Sequence, residues 1–211
     1  MTVSLLLAVL MISNFFVAAS NDLRKYIQFS ALQGWLLAAL LLAVHHHLHW
    51  YVLAMVAITA LVKGWVIPRL LRRALDGQSV TRERSPYLGP TASVLVCAVG
   101  TGFSLLVSGM MPLPNSHAAS LIVATALATV FNGFLLLVSR RKALTQVIGY
   151  LGLENGIFIF GMLVVEDAPL LVESAMLLDL VVGIFVMGIV INHIQNAFSS
   201  TDTSRLSNLK E

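Results

Sequence analysis

Charge is scarce in this chain of 211 residues: Asp, Glu, Lys and Arg make up 11% of it, and aromatic residues 8%. A soluble domain carries about 25% charged residues. The shortfall excludes a soluble globular domain, a disordered segment and a nucleic-acid-binding chain. Cysteine is nearly absent, with Cys97 alone, inside an apolar run. That excludes a disulfide framework and a zinc site, and Cys97 reads as a small core residue. No Gly-x-Gly-x-x-Gly loop for a nucleotide is present.

What is abundant is apolar sequence: 58% of the residues, with a mean hydropathy of +0.88. A membrane-crossing helix needs roughly 20 apolar residues, so seven use about 140 positions and leave about 70 for loops and a tail. The pattern predicts an all-α polytopic membrane protein. The predicted helices cover about 2–20, 27–44, 50–72, 89–110, 118–139, 143–165 and 170–192, followed by a polar tail from Ser199 to Glu211. The runs are too long for strands and show no alternation of period two. Met1 to Ser20 ends in a cleavable-looking Val17-Ala18-Ala19-Ser20. It has no positive stretch ahead of its apolar run, so it reads as a transmembrane helix rather than a signal peptide.

The cations give the topology. Twelve of the 13 Lys and Arg residues follow odd-numbered helices: Arg24, Lys25, Arg69, Arg72, Arg73, Arg82, Arg84, Arg140, Arg141, Lys142, Arg205 and Lys210. The loops after helices two, four and six hold none. Basic residues stay on the cytoplasmic side, which predicts an outer N-terminus and a cytoplasmic C-terminus. The same rule gives the net charge of +3 an ordinary reading as helix-flanking cations.

Three ionisable residues fall within the predicted membrane: Lys63, Glu154 and Asp179. Each costs at least ~2.5–3.5 kcal/mol to insert, so each needs a partner or a task. Glu154 is about 18 Å from the cytoplasmic end of helix six, and Asp179 about 21 Å from that end of helix seven. The two carboxyls are expected near one depth. Burial disfavours charged forms and pairing favours them. That balance leaves protonation easily switched, the property an ion relay requires; a buried structural pair is the alternative. Lys63, one and a half turns before Pro68, has two outcomes open: snorkelling to the cytoplasmic headgroups, or turning inward onto an acid. Pro68 removes a backbone donor and is expected to loosen the turn near Gly64.

Gly152 and Gly156 predict a face on helix six where another helix comes close, with Glu154 looking elsewhere. On helix seven, Ala175, Asp179 and Gly183 form a small-residue stripe. On helix five, Thr125, Thr129 and Asn132 form a polar ladder that serves either interhelical hydrogen bonding or a hydrated proton wire. His45, His46, His47 and His49 cluster at the outer end of helix two. No acid or cysteine nearby completes a metal site, so they read as a hydrated cap beside the interfacial Trp50 and Tyr51. Glu173 is expected in solvent at the outer end of helix seven.

The C-terminal stretch carries a resemblance. Arg140-Arg141-Lys142 followed by Ile148 to Gly156, with Glu154 in it, and Asp179-Leu180-Val181-Val182-Gly183 further on, resembles the K subunit of respiratory complex I over residues 118–211. Two departures stand out: Asp179 replaces a glutamate, and helices one to four have no counterpart there. The whole chain more closely resembles component E of hydrogenase-4 and formate-hydrogenlyase-type complexes. The residues that carry it are Gly149-Tyr150, Glu154-Asn155-Gly156, Pro169-Leu170-Leu171-Val172-Glu173, Lys63 with Pro68, and Asp202, Leu206, Leu209 and Lys210.

The resemblance divides the chain into a four-helix region at 1–117, a three-helix K-like region at 118–198 and a cytoplasmic tail at 199–211. It implies a non-catalytic membrane-arm subunit of a group-four NiFe-hydrogenase-like complex in a bacterial or archaeal cytoplasmic (inner) membrane. Expected partners are antiporter-like membrane subunits, a quinone-subunit-like membrane anchor, and cytoplasmic hydrogenase and iron–sulfur subunits that hold the NiFe centre and clusters. This chain is expected to hold no cofactor. Lys63, Glu154 and Asp179 are the expected ion-pathway residues, with Asn155, Thr125, Thr129 and Asn132 as a secondary polar path. The alternative is a purely structural and assembly subunit whose buried charges lock helices together.

Overall fold

A computed structural model describes residues 2–44, 50–76, 86–111, 117–163 and 188. The predicted helix seven apart from Gly188, with Asp179 and Glu173, the His45–His49 cluster, the tail and most of the loop after helix three lie outside the described residues. Within them the chain is all-helical, with six helices long and apolar enough to cross a membrane and no strand. These are α1 (Thr2–Ala19), α2 (Leu23–Val44), α3, α4 (Pro90–Met110), α5 (His117–Ser139) and α6 (Ala143–Gly161). The third, α3, joins Trp50–Leu61, a π-helical turn Val62–Val66, and Ile67–Asp76.

Local chemistry sets the ends. The α2 helix starts four residues before its expected position because Asp22 caps it: Arg24 N–H donates to Asp22 Oδ1 at 3.0 Å. Arg24 and Lys25 therefore sit, exposed, in its first turn. Extended Gly89 precedes α4, and Pro90 occupies its first turn, where a missing N–H costs nothing. In α3 the helix continues past Pro68 to Asp76, four residues beyond the expected end. The disturbance that Pro68 was expected to cause is met one turn earlier by the π-turn, in which Ile67 N–H donates to Val62 O.

The α5 and α6 helices pack along their length as an antiparallel pair. The α4 helix lies against α5, α1 fits among α2, α4 and α5, and α2 bridges α1, α3 and α6. Glycine makes the α5–α6 seam: a Cβ on Gly133 would lie 2.4 Å from Leu153 N, and one on Gly156 would lie 2.6 Å from Val130 N. Backbone meets backbone there, as small-residue seams in membranes allow. Gly149 contributes less tightly, with an added Cβ 2.9 Å from Leu137 N, and Gly152 makes only ordinary contact with Gly133.

Two large apolar clusters fill the ends of the bundle, and a smaller one of Ala18, Cys97 and Leu135 joins α1, α4 and α5. At the end carrying the Arg24 and Arg140 loops, Val17, Ile27, Leu71, Leu136, Ile148 and Leu151 pack together. At the other end, Leu7, Leu10, Leu37, Leu41, Ile122 and Ile159 do so. On the outside, Leu95, Val99, Phe103 and Leu106 of α4 stay exposed. Water would penalise that surface at about 25 cal/mol per Å² and hydrocarbon does not. The chain is a membrane protein.

Candidate functional site

Between the two apolar clusters lies a polar layer. Each of five helices crosses from one cluster to the other through buried polar residues: Ser13 and Asn14 in α1, Gln33 in α2, Lys63 in α3, Thr129 and Asn132 in α5, Glu154 and Asn155 in α6. The rest of each helix is mainly apolar, so each inserts as a hydrocarbon-compatible unit. The polar residues then satisfy one another only when the helices meet.

The centre of the layer is an ion pair. Lys63 Nζ lies 3.0 Å from Glu154 Oε1, and the two side chains are 4% and 2% exposed. Lys63 also donates to Asn155 Oδ1 at 3.2 Å, and its ammonium stands 5.3 Å from the centre of the Phe158 ring. Of the two outcomes open to Lys63, the structure shows the inward one. The reason is backbone proximity: a Cβ on Gly34 would fall 2.6 Å from the Lys63 carbonyl carbon. The glycine lets α2 and the π-turn touch and points the root of Lys63 into the bundle. The Trp35 ring covers Gly64 on the other side.

From Lys63 the contacts run on across the bundle. Asn155 Nδ2 donates to Gln33 Oε1 at 3.4 Å. Gln33 Nε2 donates to Asn14 Oδ1 and to Ser13 Oγ, both at 3.0 Å. Asn14 Nδ2 donates to Thr129 Oγ1 at 2.9 Å, and Thr129 donates to Thr125 O at 2.7 Å. Asn132 Nδ2 donates to Asn14 O at 3.3 Å, and Thr125 donates back to Leu121 O within its own helix. The helix-five ladder thus takes part in interhelical hydrogen bonding through Thr129 and Asn132. Sequence reading singled out neither Gln33 nor Asn14. Their signal was present: an amide in the middle of an apolar run costs free energy unless a neighbouring helix satisfies it.

Arg140 is the other residue whose role the sequence hid. Its place in Arg140-Arg141-Lys142 made it a headgroup-facing flank, yet it is fully buried. One guanidinium nitrogen donates to Asn21 Oδ1 at 3.1 Å and to Leu88 O at 3.4 Å. The other donates to Ala18 O at 3.1 Å, Ser20 O at 3.5 Å and Ser93 Oγ at 3.4 Å. The Tyr26 ring lies 5.9 Å away. A cation at the carboxyl end of α1 also opposes the negative end of that helix dipole. Arg140 thus pins the α1–α2 turn and the start of α4 to the end of α5. Arg141, by contrast, is exposed and stacks on Tyr87 at 4.3 Å.

Among the described residues no group of three or more His, Cys, Asp and Glu is placed to hold a metal ion. Among the described residues, the ionisable groups inside the bundle's polar layer are the carboxylate and ammonium of the Glu154–Lys63 pair.

These features define an all-helical membrane protein with a buried ion pair between two apolar clusters. Over its full length the chain is similar to hydrogenase-4 component E of Escherichia coli. The two share 26% identity over 216 aligned positions, which span 100% of this chain and 98% of that protein. The same figures hold for hydrogenase-4 component E of Shigella flexneri. It is also 28% identical to an uncharacterized protein of Mycobacterium tuberculosis, over 96% of this chain and 93% of that protein. No family model and no solved structure matches it.

Proposed function

We infer that this chain is a membrane-arm subunit of a hydrogenase-type complex. In it the Lys63–Glu154 pair, with Asp179, serves as a station for proton or sodium movement coupled to electron transfer in partner subunits. The observation that carries the reading is the pair itself, held 3.0 Å apart between two apolar clusters in a chain similar end to end to hydrogenase-4 component E. An intramembrane ionisable pair is costly, and such groups mark ion pathways. In this reading the chain is no enzyme by itself. The NiFe centre and iron–sulfur clusters belong to cytoplasmic partners, and antiporter-like and quinone-subunit-like subunits flank it in the membrane. The K-subunit-like reading of 118–211 rests on its motifs alone.

The topology proposed with it is seven spans in the cytoplasmic membrane, with the N-terminus outside and the C-terminus inside. Its support is the distribution of basic residues. Cysteines introduced at Asn115 and Ser207 are then labelled from opposite sides, Asn115 from outside. Labelling of both from one side breaks the topology.

Substitutions that keep shape and remove charge test the function. In the intact complex, Glu154→Gln and Asp179→Asn are expected to leave hydrogenase activity with a soluble dye near normal and to abolish coupled ion uptake into vesicles. Unimpaired ion uptake sinks the ion-path reading. Failure of every such variant to assemble makes the pair a structural lock between α3 and α6.

A further inference from the structure

The polar layer has a direction. Lys63 carries only donors, so Asn155 must turn its oxygen to it. The Asn155 nitrogen is then the atom left to face Gln33, whose oxygen accepts. Gln33 donates onward to Asn14, and Asn14 to Thr129. The far end fixes the same sense independently: the Thr129 hydroxyl hydrogen is committed to Thr125 O, so its oxygen must accept from Asn14. Both ends therefore enforce one arrangement, in which every amide oxygen faces the ammonium and every amide nitrogen faces away. Such a head-to-tail chain strengthens each bond in it. It also moves no proton, because a primary amide nitrogen has no lone pair free to accept one. Gln33 is the hub, touching Asn155 on α6 and both Ser13 and Asn14 on α1.

We propose that Gln33 is a positioning residue for the Lys63–Glu154 pair, acting through Asn155 and anchored by Asn14 in a one-way amide chain that holds the Lys63 ammonium on Glu154. Without Gln33, Asn155 loses the partner that fixes its rotation, and Lys63 loses its second acceptor. The chain is then a brace on the side of α1, α2 and α5, and any ion reaching the pair leaves by another route. This rests on the proposed role of the pair only for its purpose; the geometry it asserts is independent of ion movement.

The test uses the full chain in lipid, isotope-labelled at lysine Nζ and glutamate Cδ, with magnetic-resonance measurement of nitrogen–carbon dipolar coupling. The chain has four lysines, Lys25, Lys63, Lys142 and Lys210, and the Lys63 signal is the one absent from Lys63→Met. The native chain is expected to show a Lys63–glutamate coupling that disappears in Glu154→Gln. Gln33→Met preserves volume and removes the amide. It is expected to lose that coupling while the other three lysine signals and the helical content stay native. Asn14→Leu, which does not touch Lys63, is expected to weaken it. A native coupling in Gln33→Met overturns the proposal, because packing alone then suffices. If Gln33→Met does not insert, a native coupling in Asn14→Leu overturns it equally. Loss of the fold in both variants assigns the amides a structural task and overturns it as well. Unimpaired ion uptake by a Glu154→Gln complex would sink the ion-path reading and leave this result standing.

Discussion

Lys63 and Glu154 are separated by 91 residues and joined by a 3.0 Å contact, between a π-turn in α3 and the middle of α6. The pair is not held by attraction alone. Removing two charges from water costs several kcal/mol each, and only good geometry with further hydrogen bonds offsets it. Asn155 and the Phe158 face supply those extra contacts to the ammonium. A single substitution leaves one charge stranded, whereas a double substitution strands none.

Lys63→Met and Glu154→Gln are each expected to destabilise the chain in detergent by about 3–5 kcal/mol, the cost of an uncompensated buried charge. The double variant is expected to recover most of that loss. Thermal unfolding of the four proteins in a double-mutant cycle measures the coupling. Additive losses would show that the two side chains do not depend on each other.

Arg140→Lys is expected to fail as a replacement. A lysine ammonium is a point charge with three donors and does not reproduce the fork that reaches Asn21, Ala18, Ser20, Leu88 and Ser93. Arg140→Ala should cost at least about 3 kcal/mol, because several buried carbonyls lose their donor together. The exposed Arg141→Ala should cost less than about 1 kcal/mol. Melting temperatures of the three variants in one lipid system rank them.

Gly34→Ala places a methyl group against the Lys63 backbone, where no flexible side chain gives way. The expected cost is about 1–3 kcal/mol. The Lys63 ammonium should also leave its native position. Gly109→Ala is the control: it sits in α4 with nothing within 4 Å of an added Cβ. Alanine should stabilise that helix by about 0.5–1 kcal/mol. Equal effects at the two sites would show that α2 and the π-turn do not touch.

Gly133→Ala and Gly156→Ala are expected to push α5 and α6 apart, since both methyl groups would meet backbone atoms. Gly152→Ala should be better tolerated, as its added Cβ sits 3.5 Å from the nearest atom. Proteolytic sensitivity of each variant in nanodiscs separates the cases. Collapse in Gly152→Ala with tolerance at Gly133 would reverse the seam.

The class of protein was legible at once. Runs such as Thr2–Ala19 and Pro90–Met110 declare themselves by length and hydropathy, because crossing hydrocarbon is a demand on each helix separately. The helix starts were less legible. Asp22 was legible as a cap in principle, yet the charge of Arg24 and Lys25 pulled the expected start of α2 inward.

Lys63 and Glu154 were legible as candidates for the same local reason: a charge in an apolar run is visible without knowing its neighbours. Their union was not. Which acid Lys63 meets depends on how far α3 is rotated by its π-turn, and on how near Gly34 lets α2 approach. Both are properties of helix pairs. Gln33 and Asn14 look like minor blemishes in apolar helices until α1, α2 and α6 are brought together. Arg140 reads as an ordinary flanking cation until the α1–α2 turn and the start of α4 close over it. The sequence determined which helices form and which residues resist hydrocarbon, since hydropathy acts locally along each helix. Tertiary structure alone decided which of those residues satisfy one another, because that depends on rotation and depth set by contacts distant in the chain.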